Sequence, residues 1–268
     1  MVRVGLITAI SGTILILLGC GSQSGDKPVY EQVKIYDLIP SPSASTGPRQ
    51  RGLIELDTHI FELPAANLPL LADLWNSVLS GSPLKYRSAE AFKASGFVAA
   101  TGTLNIWDEV DQVLRAAECR KAGTVSVLLF KNQSDYVSAA SVEDERTFFY
   151  VEADGKVAGL SLSNGLAAFR IRAQDIPGTR GAVRMSFQPV FHRSVASRIR
   201  KLAMRTSYED IIFDSIGLEM QISPGQFILL GPREYGGGQM SLSRLFFRRS
   251  KPRPIVLIYL VICRSISD

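Results

Sequence analysis

Apolar and polar side chains alternate through GLIELDTHIFELP, residues 52–64, with Ile54, Leu56 and Ile60 in phase. A period of two buries one face of a strand, so this stretch predicts a strand that ends at Pro64. The period then lengthens. In AANLPLLADLWNSVL, residues 65–79, Leu68, Leu71, Trp75, Val78 and Leu79 fall at helical spacing, and Gly81 stops the helix. Residues 88–95 predict a short helix and residues 96–104, GFVAATGTL, a strand. The clearest helical pattern is IWDEVDQVLRAAECRKAG, residues 106–123. Ile106, Val110, Val113, Leu114 and Ala117 line one side, acids come early and bases late, as the helix dipole favours, and Gly123 marks the end. TVSVLLF, residues 124–130, returns to strand.

From residue 146 onward the pattern is one of strands and turns. RTFFYVEADGKVAGLSLS, residues 146–163, predicts a hairpin around Asp154-Gly155. Residues 165–176 and 181–191 are two strands separated by Pro177-Gly178, and residues 217–231 predict a second hairpin across Pro224-Gly225. Residues 194–207, SVASRIRKLAMRTS, read as either a helix or a basic loop. The chain closes with the apolar run IVLIYLVIC, residues 255–263. That run is too short for a membrane helix and does not alternate as a lipid-facing barrel strand does. It predicts a central strand buried on both faces. No repeat of a solenoid period occurs. The fold class that follows is α+β, with a mixed α/β domain over residues 52–135 and a β-rich, sandwich-like domain over residues 136–268.

Ahead of these elements the chain has a different character. Met1-Val2-Arg3 is followed by residues 4–18, which are apolar or small throughout and carry no charge. A basic start, a short apolar core and small residues at its end describe an export signal. The stretch Leu17-Leu18-Gly19-Cys20 resembles the lipobox of bacterial lipoproteins. That resemblance implies cleavage after Gly19, diacylglycerol on Cys20 and acylation of the new amino terminus. Two or three acyl chains anchor firmly where one holds only marginally. Gly21 rather than Asp follows the cysteine, which by the bacterial sorting pattern implies the outer membrane rather than the inner. An uncleaved anchor and an ordinary cleaved signal are the alternatives. Residues 20–51 are rich in Gly, Ser and Pro at both ends and predict a flexible tether, with VKIYDLI inside it as a possible extra strand.

Charge and chemistry then narrow the function. The 268 residues hold 30 Lys and Arg against 25 Asp and Glu, a net charge of +5 that loses one unit when Arg3 is cleaved away. This mild excess suits anionic lipid or polysaccharide and is not a nucleic-acid signature. Two basic clusters carry it. One holds Arg193, Arg198, Arg200, Lys201 and Arg205. The other holds Arg244, Arg248, Arg249, Lys251 and Arg253. Each base near an anionic surface contributes about 1 kcal/mol, so these are candidate contacts to anionic headgroups, with a solvated face as the plainer account. The two histidines are His59, beside Asp57, and His192, beside Arg193. No HExxH, paired CxxC or GxSxG occurs, so no metal, cofactor or catalytic residue is assigned. Gly-rich GPREYGGGQ, residues 231–239, lacks the Lys-Ser/Thr of a phosphate loop and reads as a loop between strands. Trp75 and Trp107 read as core packing. Past Cys20, only Cys119 and Cys263 remain, open to pairing or to two buried thiols.

The order of pieces in the last third resembles the core of the bacterial secretin family. MSFQPVF is a strand carrying a proline. LEMQISPGQFILLGP is strand, turn and strand, with Gly225-Gln226 and Gly231 where the family's hairpin has its glycines. MSLSRLFFRR is a short apolar segment, and IVLIYLVIC is the closing strand. The likeness covers residues 181–266. It departs from the family at Pro232, which stands for the second glycine, and in lacking long alternating strands for a channel. Together with the lipobox it implies a lipid-anchored envelope protein acting as a structural or interaction module, a secretin-like subunit or a secretion accessory, with a membrane, envelope proteins or its own copies as partners. A monomeric ligand-binding lipoprotein is the alternative, and an extracytoplasmic hydrolase the third reading.

Overall fold

The alternation of residues 52–64 becomes strand β1 (Leu53–Pro64), whose partner is the far end of the chain. The last strand, β14 (Ile255–Ile266), runs antiparallel to β1 from Pro64↔Ile255 to Ile54↔Ile266, with a bulge between Glu55 and Leu56. This computed structural model describes residues 52–75, 83–195, 207–234, 240–249 and 253–267. The predicted export signal, the predicted lipidation site Cys20, the predicted tether, and the basic positions Arg198, Arg200, Lys201, Arg205 and Lys251 lie outside the described residues.

Two open antiparallel sheets hold the described strands together. In the first, β3 (Phe97–Thr103), β12 (Gln226–Pro232), β14, β1 and β4 (Arg120–Phe130) follow in that order, and the short β13 (Arg248–Arg249) lies beside β14. In the second the order is β2 (Lys85–Tyr86), β11 (Leu218–Ile222), β9 (Val183–Val195), β8 (Gly165–Asp175) and β5 (Ser134–Val142), with β10 (Ser207–Ile212) on β9. β6 (Arg146–Val151) and β7 (Val157–Leu162) form the predicted hairpin, with Gly155 in its turn. Strands from both sides of residue 135 enter both sheets and share one core. The α+β description holds in outline. Strands dominate, and the helices are short: α1 (Ala89–Ala94), α2 (Trp107–Ala116) and α3 (Leu242–Phe247).

The terminal run is the centre of this arrangement, as its unbroken apolar pattern predicts. Leu257, Tyr259, Val261 and Cys263 face the second sheet, while Val256, Ile258, Leu260 and Ile262 point the other way, and all eight are buried. Between the sheets lies α3. Its Phe246 meets Phe169 of β8 at 4.9 Å and Phe97 of β3 at 5.8 Å, and Phe247 meets Phe97 at 5.2 Å. The Tyr259 hydroxyl donates to the Phe246 carbonyl at 3.3 Å. Five aromatic rings thus bind two sheets and a helix through edge and tilted contacts. On the opposite face of the first sheet, Trp107 of α2 stands edge-on to Phe227 at 5.9 Å. Asn67, in a 3-10 helix over Ala65–Leu71, donates to the Ala117 carbonyl at 3.1 Å.

Three expectations are corrected. The helix of residues 106–123 ends at Ala116, and Gly123 does not stop it. Glu118 turns the chain at φ 59, and residues 120–123 join β4 because β1 needs a partner there. Strand pairing overrides local helical period. The helix of residues 65–79 begins as 3-10, with Pro69 inside it lacking the N–H that an α-helix would use. Residues 217–231 do not fold as a hairpin. β11 pairs with β9 in the second sheet and β12 with β14 and β3 in the first, so Pro224-Gly225 is an arch across the core, made possible by φ +81 at Gly225.

Candidate functional site

Among the described residues the strand order leaves the long edge of β4 bare. β4 pairs with β1 on one side, and no described strand pairs with the other. Residues 122–130 of β4 read AGTVSVLLF, without a charge or a proline. Val125 is 41% exposed, Leu128 56% and Phe130 47%, with Val125 on the face toward the second sheet and the other two on the opposite face. The other long edges are less open, although β3 is also uncharged. β5 carries Asp135, β10 carries Glu209 and Asp210, and on β3 the Tyr86 hydroxyl reaches the Ala99 carbonyl at 3.5 Å. Natural proteins blunt free edges with charges, prolines or cover because a bare one pairs with other chains. β4 has only Arg120 and Lys121 at one end.

Both histidines sit in clusters that hold a carboxylate. On β1, Asp57 (2% exposed) and His59 (1% exposed) project to the same face. Asp57 accepts from Ser126 Oγ at 2.7 Å and pairs with Arg264, while His59 Nδ1 meets Thr124 Oγ1 at 3.0 Å. The serine bonds the carboxylate and the threonine bonds the imidazole, side by side. A relay of nucleophile, base and orienter would need them in series. Burial, reinforced by the charges of Lys121 and Arg264 and opposed by Asp57, lowers the His59 pKa to about 4. His192 of β9 lies 2.5 Å from Asp210 Oδ1 and edge-on to Tyr136 at 4.4 Å, and Tyr136 donates to Asp210 Oδ2 at 3.2 Å. No group of three or more metal-binding side chains occurs among the described residues.

A cavity of about 340 Å³ opens where β5, β6 and α3 meet. Phe148, Val142 and Leu245 form its apolar lining, and Glu143, Asp144, Arg146, Arg244 and Arg248 its charged groups. Neither histidine lines it. The basic positions read from the sequence are distributed rather than gathered. Arg193 closes β9 of the second sheet and donates to the Ser161 carbonyl at 3.4 Å, whereas Arg249 of the first sheet is held by Glu62 at 2.9 Å and Arg248 turns into the cavity wall. Cys119 and Cys263 are both free, and burial pushes each thiol up to about 12. The bare edge of β4 is not foreseen from the sequence, where residues 120–123 read as helix. The uncharged run beside it was the available signal.

No protein-family model and no curated protein matches the chain. Among solved structures it is similar to the InvG secretin-domain β-barrel from the Salmonella SPI-1 injectisome NC-base, with 12% identity and a TM-score of 0.26 over 81% of this chain and 64% of that one. It is also similar to the Type IV competence pilus secretin PilQ of V. cholerae, with 11% identity and a TM-score of 0.21 over 79% of this chain and 58% of that one. The chain therefore spans less than two thirds of the length of either secretin chain.

Proposed function

We propose that this chain is a lipid-anchored protein of the bacterial cell envelope, at the outer membrane, whose body is a structural or interaction module, either a secretin-like subunit or a secretion accessory. The observation that carries this is the bare β4 edge. It is a ready template for strand addition, in which main-chain hydrogen bonds give affinity and alternate side chains give specificity. The anchor rests on Leu17-Leu18-Gly19-Cys20 and the apolar run before it. The pieces that resemble the secretin core also pack as one unit. β9, the β11–β12 arch, α3 and β14 surround a common core, and a Cβ at Gly231 would come within 2.9 Å of Ile258 Cδ1 and 3.1 Å of the Trp75 ring. Arg193, Arg198, Arg200, Lys201, Arg248, Arg249 and Lys251 are proposed contacts to anionic headgroups.

The test is the native mass of the detergent-extracted protein by light scattering, together with chemical cross-linking in intact envelopes. A discrete oligomer, or a cross-linked complex with an envelope protein, is expected. A monomer that captures nothing would overturn the reading. Cys20→Ser should abolish partition into the detergent phase and labelling by palmitate. The second reading, a ligand-binding lipoprotein, is favoured by one observation, the charged cavity beside α3, whose volume lies in the range of small-molecule sites.

A further inference from the structure

The β4 edge also indicates what covers it. We infer that β4 pairs antiparallel with β4 of a second copy of this chain about a two-fold axis. The inference rests on the interaction-module reading and goes further by naming the partner and the strand.

The argument is one of complementarity. A partner strand laid along residues 122–130 meets nine uncharged residues, and any charge it carries there is removed from water without a counter-ion. On this chain the other long edges either carry carboxylates or, at β3, have the Ala99 carbonyl already engaged by Tyr86. A head-to-tail contact of β4 with one of them would bury a carboxylate or give up that contact. β4 against β4 does neither. With the axis near Val127, antiparallel register sets Val125 opposite Leu129, Ser126 opposite Leu128 and Thr124 opposite Phe130 of the second copy. Phe130 is the last residue of β4, so the ladder ends there, and Arg120 and Lys121 lie beyond it. Aromatic and β-branched pairs across a ladder are the favourable ones, and like charges do not meet. The exposed outer-face side chains, Leu128 and Phe130, are then both apposed to the second copy. An isologous contact of this kind closes on itself, so it produces a dimer and not a fibre.

Two sets of variants of the full, anchored chain in detergent micelles test it. Leu128→Lys and Phe130→Lys each place a charge at an exposed position of the ladder, so the fold, read by circular dichroism, should be kept while the protein mass falls two-fold. Val125→Cys, Ser126→Cys, Val127→Cys and Leu128→Cys, oxidised one at a time, should give a disulfide-linked dimer at one position or two neighbouring ones. Val157→Cys, on a strand that is 66% exposed at that residue, should give none. The native Cys119 and Cys263 thiols are raised by burial and do not compete. An oligomer that keeps its mass in both lysine variants, with no cross-link along β4, overturns this pairing and leaves the interaction-module reading standing. A wild-type chain that stays monomeric and cross-links to no envelope protein overturns both.

Discussion

Replacing His59 by Gln should remove a large part of the acid sensitivity of the fold. His59 is 1% exposed on β1, bonded through Nδ1 to Thr124, and its Nε2 is buried without a hydrogen-bond partner. Burial, with Lys121 and then Arg264 adding to it, lowers its pKa from 6.5 to about 4, although Asp57 pulls the other way. The unfolded chain therefore binds a proton near pH 6.5 that the folded chain refuses until about pH 4. Stability from this group is fully present above the unfolded value and is lost as pH falls through that window. A tenfold difference in proton affinity between the two states corresponds to about 1.4 kcal/mol, so the whole loss is about 3 kcal/mol, most of it gone by about pH 4.5. Urea unfolding followed by the fluorescence of Trp75 and Trp107, at about pH 7 and at about pH 4.5, measures it. Carboxylates titrate in both proteins, so the informative quantity is the stability gap between wild type and His59→Gln. That gap should move by about 2–3 kcal/mol in favour of the variant on going to the acidic condition. A gap that does not change with pH would refute the claim that His59 is held neutral by its burial.

Other substitutions probe the packing directly. Phe246→Ala empties the centre of the aromatic cluster between the sheets and should cost about 3–5 kcal/mol in denaturant unfolding, against well under about 1 kcal/mol for a surface change such as Val157→Ala. Arg264→Met leaves the Asp57 carboxylate buried without its cation and should cost about 3–5 kcal/mol, and a neutral result would mean that water reaches Asp57. Gly231→Ala presses a methyl group against Ile258 and Trp75 and should cost about 1–3 kcal/mol, read as a lower midpoint at unchanged slope. Cys263 should react with a thiol reagent at about pH 8 only when the protein unfolds, and rapid labelling of the native chain would contradict its burial.

Much of the fold was readable one segment at a time, because burial on one face or two leaves a period in the residues themselves. The hairpin at Asp154-Gly155 follows from its turn residues and the apolar run of β14 from its two covered faces, whereas the alternation of residues 52–64 marks a strand but not its burial, since Asp57 and His59 of the polar phase are buried too. The proposed export signal and lipobox rest on a contiguous stretch alone and lie outside the described residues. The sequence could not show partnership. Nothing local to residues 120–123 says that β1 will draw them out of a helical pattern into an edge strand, or that Pro224-Gly225 spans two sheets instead of closing a hairpin. The same holds for the site. Asp57 and His59 lie 65 or more residues from Thr124 and Ser126 and meet them only through the β1–β4 register. Whether residues 122–130 are core or open edge depends on the presence of one further strand. Local composition determines which faces avoid water. Only long-range pairing decides which backbone edge is left without a partner, and on that edge the proposed function depends.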